Sequence, residues 1–164
     1  MILLHGYGAN RVEMVGRAGL LAKHGYGVLL YDQRASGESE GEFRSFGWVD
    51  VDDVPVALDF LVGRDEVDLE RVGVLGFSQG VQIALRAAAE TDRLRAVVAE
   101  VPGFSTLEDL PRMTTWGDRW KVLNYALGFK GLEWWTGVRN PSGVVKSLPS
   151  ISSHTRYCLS PRPS

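Results

Sequence analysis

The sequence holds one cysteine and only three histidines. A disulfide within the chain is therefore impossible, and three histidines with one cysteine are too few for a Cys/His zinc centre. An excess of charge of one sign is missing too: 18 Lys and Arg against 20 Asp and Glu leave a formal net charge of −2. That balance argues against nucleic acid or a charged membrane surface as a partner. No apolar run reaches the ~18 residues that a transmembrane helix needs. No signal peptide is visible, so a cytoplasmic location is expected. The opening MILLHG reads as the middle of a strand, and sequence upstream of it, a targeting segment included, is expected to be absent. What remains is 164 residues, 45% hydrophobic, enough for one globular domain with a core.

Apolar runs and helical periods alternate along the first hundred residues. Ile2 to Leu4 read as a strand running into the loop His5-Gly6-Tyr7-Gly8. Asn10 and Glu13 have capping-box spacing, followed by Met14, Ala18, Leu21 and Ala22 at helical intervals and a stop at Gly25. GYGVLLYD is a second strand. Val51, Val54, Leu58 and Leu61 predict a helix to about Gly63, in which Pro55 requires a late start or a kink. RVGVLG is a third strand, apolar throughout as in a sheet covered on both faces. Residues 78–91 read as a helix and LRAVVAEV as a fourth strand. Strands alternating with helices predict an α/β fold around a mostly parallel sheet, with right-handed crossovers.

The alternation stops after Gly103. Residues 104–140 carry four of the five tryptophans and read as a helical, cap-like segment. Most of these aromatics are expected to pack as a lid core on the sheet; lining a substrate pocket is the alternative. Residues 141–164 form a polar tail with no strand pattern.

One turn carries chemistry. In VLGFSQGVQIA, Val74 to Ala84, a serine stands between Gly76 and Gly80 where a strand gives way to a helix. A serine attacking a carbonyl needs exposure, a base, and donors for the oxyanion. A sharp strand-to-helix bend exposes Ser78, demands small neighbours two positions away, and sets it at a helix N-terminus that favours negative charge. The N–H of Gln79 would face the oxyanion. GxSxG alone is a weak signal, and a glycine-rich turn without chemistry is the simpler alternative; the strand before and the helix after are what strengthen it.

Three motifs in order resemble the α/β-hydrolase superfamily, in particular its serine hydrolases related to dienelactone hydrolases and prolyl oligopeptidases. LLHGYG resembles the segment whose backbone helps form the oxyanion hole, a role that falls to the Tyr7 N–H, with His5 and Gly6 supporting it. YDQRASGESEG resembles the loop after the family's next strand, with Ala35 where glycine is usual and Asp32 and Arg34 fixing the loop by hydrogen bonds. GFSQG resembles the nucleophile elbow. The resemblance spans about residues 1–103 and implies a partial α/β-hydrolase fold, truncated at both ends, that needs no metal or organic cofactor. The activity it implies is hydrolysis of a small-molecule or peptide acyl substrate.

The family's order is serine, acid, histidine, and here the chain offers little. Glu100, ending the fourth strand, is a minor candidate for the acid and otherwise a polar residue at the rim. His154 is the only histidine after Ser78 and a weak candidate for the base. His5 precedes the serine and reads as a buttress; His24 suits a helix C-terminus. Read one frame over, the codons of Ser153 to Cys158 can encode Pro-His-Pro-Val-Leu, which resembles the lead-in to the family's next strand. A frameshift near Ile151 to His154 is therefore expected to have replaced the last strands and the remaining triad members. An inactive remnant or a binding-only fragment is the alternative to an enzyme. Exposed sheet edges would favour self-association.

Overall fold

The computed structural model of the chain describes residues 1–45 and 47–100, the backbone of 156–160, and single helical residues at 120, 124, 127, 131 and 134. Five strands form one sheet: β1 (Ile2–Leu4), β2 (Leu29–Leu30), β3 (Gly73–Phe77), β4 (Ala96–Glu100) and β5 (Arg156–Ser160). Their order is β2-β1-β3-β4-β5, and every pairing is parallel. Helices α1 (Val15–Lys23), α2 (Asp53–Val62) and α3 (Gln79–Glu90) make the crossovers. This is the α/β architecture around a parallel sheet that the sequence predicts.

Alternation of side chains along each strand divides the core between two faces. Ile2, Leu4, Val74 and Val97 point to one face, where α2 brings Val54, Leu58 and Leu61 and α3 brings Ile83, Ala84, Ala87 and Ala88. Leu3 and Leu75 point to the other, against Met14 and Ala18. Among the described elements, α1 and the 3-10 turn before it cover that second face, and Val98 of β4 stays partly exposed.

Local expectations are in part met and in part corrected. Asn10 does cap, its Oδ1 accepting from the Val12 N–H at 3.0 Å, but it opens a 3-10 turn, Arg11–Met14, before α1 begins. The Glu13 carboxylate does not return to Asn10; it accepts the Gly6 N–H at 2.7 Å. The helix through Pro55 starts late. A 3-10 turn at Asp50–Asp52 leads into α2 at Asp53, which puts the proline in the first turn, where a missing N–H costs no helical bond. The tail does contain a strand. Tyr157, Cys158 and Leu159 are too short an apolar run to show a period, and β5 draws its register from pairing along β4, Ala96 to Arg156 through Glu100 to Ser160. Trp120 and Trp134 are 63% and 89% exposed, so these two do not form a lid core on the sheet; Trp116 and Trp135 lie outside the described residues.

Candidate active site

β3 ends at Phe77 and α3 begins at Gln79, which leaves Ser78 alone at the bend with φ 51° and ψ −114°. That backbone conformation is unfavourable for any residue with a Cβ, by about 1–3 kcal/mol, and persists only where the surroundings enforce it. Two hydrogen bonds do so: the Ser78 N–H donates to the Glu100 carbonyl at 3.0 Å, and the Ser78 carbonyl accepts from the Val81 N–H at 3.1 Å. The bend folds α3 back against the strands so closely that side chains are excluded. A Cβ on Gly76 would stand 2.5 Å from the Val81 nitrogen, and one on Gly80 2.9 Å from the Leu4 Cβ. Ser78 itself remains partly exposed.

The loop after β1 lies against this bend. A Cβ on Gly6 would be 3.3 Å from the Ser78 Cβ, so Gly6 permits the close approach. His5 is fully buried and both ring nitrogens are engaged. Nε2 faces the Gln33 N–H at 3.2 Å and therefore accepts, which leaves Nδ1 to carry the proton and donate to the Gly6 carbonyl at 2.9 Å. Burial lowers the pKa of the ring below its ordinary 6.5, outweighing the Gly6 contact that raises it. His5 is thus a neutral strut with no lone pair to offer Ser78.

Asp32 and Arg34 hold the next loop. The Asp32 side chain, 3% exposed, accepts the backbone N–H groups of Arg11 at 2.6 Å and Glu38 at 2.9 Å, and pairs with the Arg11 guanidinium. Arg34 grips Asp53 through its N–H, Nε and Nη2, which ties the loop to the start of α2. Ala35 takes φ 53°, a left-handed conformation that glycine adopts without strain. Burial alone would raise the Asp32 pKa, but the two N–H donors and Arg11 reverse this and hold it below its ordinary 3.8. The ionised form therefore stabilises the fold above about pH 4, and that contribution is lost as pH falls through the lowered folded-state value. Asp32→Asn is expected to cost about 2 kcal/mol at pH 7. Urea unfolding of both proteins at pH 7 and pH 3 checks this: the gap should be smaller at pH 3, and an equal gap at both would refute it.

Glu100 lies beside the elbow, but both of its oxygens are taken by Arg17, from Nε and Nη2 at 2.6 Å each. The same guanidinium stacks 4.3 Å from the centre of the Phe77 ring. His154 lies outside the described residues. Gln79 turns its side chain inward, its Nε2 donating to the fully buried Asp50 at 3.3 Å. Sequence reasoning missed Glu13, Arg17, Gln33, Arg44 and Asp50. Arg17, Arg44 and Asp50 stand in no motif, Gln33 lies inside YDQRASGESEG where nothing singles it out, and partners lie as far as 83 residues away. Only Glu13 carried a signal, its capping-box spacing, and that pointed to the wrong partner.

A family profile described as the alpha/beta hydrolase fold matches residues 1–163. The quorum-quenching protein AidA of Acinetobacter baumannii is 31% identical over 98% of this chain and 52% of its own length. The thiohydrolase aneE of Aspergillus aculeatus is 32% identical over 62% of this chain and 33% of its own. The chain thus spans about half or less of the length of these relatives. Among solved structures, the Pyrococcus furiosus esterase Pf2001 superposes with a TM-score of 0.63 at 20% identity, over 97% of this chain and 72% of the esterase; at that identity the likeness is one of fold. With the parallel sheet, the bend at Ser78 and the profile match in agreement, this chain belongs to the α/β-hydrolase fold family.

Proposed function

We propose that the chain is the nucleophile-bearing core of a serine hydrolase acting on ester, thioester or amide carbonyls of a small-molecule or peptide substrate. The observation that carries this reading is the strained backbone of Ser78, held between β3 and α3 with Gly6 packed against its Cβ. The Ser78 hydroxyl attacks the carbonyl carbon and a histidine takes its proton. The N–H groups of Tyr7 and Gln79 receive the oxyanion. The bond to the leaving group then breaks, the histidine protonates that group, and water releases the acyl chain from Ser78. Gln79 opens α3, so its N–H is among the first-turn amides that lack a partner within the helix. His154 is the candidate base. Glu100 is the candidate acid, although Arg17's hold on both oxygens favours a rim position. The thiohydrolase relative fits acyl chemistry. The segment 104–140 serves as the cap in this reading, and the edge strand β2 as a surface for self-association.

One observation favours the alternative of a binding-only or inactive chain: His5, in the loop packed against the bend, has both ring nitrogens occupied and is not available to Ser78. Losing the base of a related triad costs about 10⁶ in kcat. A fluorophosphonate probe separates the two readings. Labelling at Ser78 that vanishes in Ser78→Ala is the expected result, and folded wild-type protein that stays unlabelled would support the inactive chain. Sequencing the gene through the codons for Ile151 to His154 tests the frameshift; an unshifted frame encoding no further strand, Asp and His would end that idea.

A further inference from the structure

Arg44 lies buried against the loop that follows β1. The residue is 8% exposed, and among the described residues no carboxylate lies within 4 Å of its guanidinium. Its Nη1 donates to the Gly6 carbonyl at 3.1 Å and its Nη2 to Gln33 Oε1 at 3.0 Å. Gln33 in turn donates Nε2 to the His5 carbonyl at 2.8 Å. The guanidinium carbon lies 5.6 Å from the centre of the Tyr7 ring, within cation–π range. One charged side chain thus holds the loop through its backbone, through Gln33 and through an aromatic face. A buried cation without a carboxylate partner is costly.

We propose that Arg44 is a positioning residue of the oxyanion loop, whose guanidinium draws electron density onto the Gly6 carbonyl and so strengthens the Tyr7 N–H of the same peptide unit as a donor.

The Gly6 carbonyl and the Tyr7 N–H belong to one resonant amide. A donor on the oxygen increases the C–N double-bond character and leaves the N–H more positive, the cooperativity by which chained hydrogen bonds polarise one another. Two side chains act on this oxygen, Arg44 at 3.1 Å and the His5 Nδ1–H at 2.9 Å, and one of them is a full charge. It is fixed before the reaction begins, so no reorganisation is needed as negative charge grows on the substrate oxygen. In this arrangement Arg44 acts through the peptide.

The inference rests on the proposed role of the Tyr7 N–H, and the test keeps the two apart. Fluorophosphonate labelling rates of Ser78 are measured for wild type, Arg44→Met and Arg44→Lys, with melting curves for each. The ¹H shift of the Tyr7 amide is read in ¹⁵N-labelled wild type and Arg44→Lys. Arg44→Met is expected to label about tenfold more slowly, a smaller effect than deleting an oxyanion donor outright. Arg44→Lys keeps the charge but cannot span both Gly6 and Gln33; it should label at an intermediate rate and move the Tyr7 amide proton upfield. If Arg44→Met does not fold, the lysine variant decides. Folded variants that label at the wild-type rate, or a Tyr7 amide unmoved in Arg44→Lys, overturn the inference and leave Ser78 as nucleophile intact. A folded wild type that never labels overturns both.

Discussion

Alanine at Gly80 is expected to cost at least about 3 kcal/mol, at the upper end of what overpacking does, a large share of the stability of a domain that has about 5–15 kcal/mol in total. The added Cβ would stand 2.9 Å from the Leu4 Cβ and closer still to the Leu4 carbonyl. Neither neighbour can yield alone. Leu4 is fully buried and its strand is paired to β3 at Gly76, so relief requires α3 to lift off the sheet. Lifting α3 also releases the enforced backbone of Ser78, and labelling of the serine should fall with the stability. Gly19 makes the contrast: it lies exposed within α1 with nothing within 4 Å of its would-be Cβ. Alanine there is expected to stabilise by about 0.5–1 kcal/mol through helix propensity and a less flexible unfolded chain. Urea midpoints of the two variants should move in opposite directions. A Gly80→Ala protein that melts within a degree or two of wild type would mean that the elbow is not packed as described.

Asp50→Ala should cost about 3 kcal/mol or more, because several buried donors lose their acceptor together. Asp50 is completely inaccessible to solvent. Its carboxylate accepts the N–H groups of Ser45 at 3.1 Å and Gly47 at 3.0 Å and the Gln79 Nε2 at 3.3 Å. Ser45 answers it, its Oγ accepting the N–H groups of Trp48, Val49 and Asp50. The pair therefore closes the turn before α2 and anchors the first residue of α3 in a single cluster. Asp50→Asn should rescue little, since one oxygen becomes an amide that donates where donors already point. Denaturant unfolding measures the loss, and a cost below 1 kcal/mol for Asp50→Ala would show that water or relaxation replaces the carboxylate. The Ser78 labelling rate should also drop in Asp50→Ala at temperatures where the variant is folded, because the Gln79 side chain loses its anchor.

Sequence alone determined whatever depends on neighbours a few residues apart. The apolar runs at Ile2–Leu4, Gly73–Phe77 and Ala96–Glu100 and the helical period through Leu85 and Ala88 are local patterns, and a parallel α/β sheet follows from their alternation. The glycines flanking Ser78 were legible for the same reason, since a tight bend constrains residues two positions away. The side chains around the bend were settled only by tertiary structure. Glu13 finds the Gly6 N–H instead of its own helix cap, Arg17 reaches Glu100, Arg44 reaches the Gly6 carbonyl, and Asp50 holds Gln79. A charged side chain bonds whichever complementary group the folded backbone brings within about 3 Å, and no period in the chain records which one that will be. β5 belongs with these: three apolar residues in a polar tail become a strand because the open edge of β4 offers them unpaired amides and carbonyls.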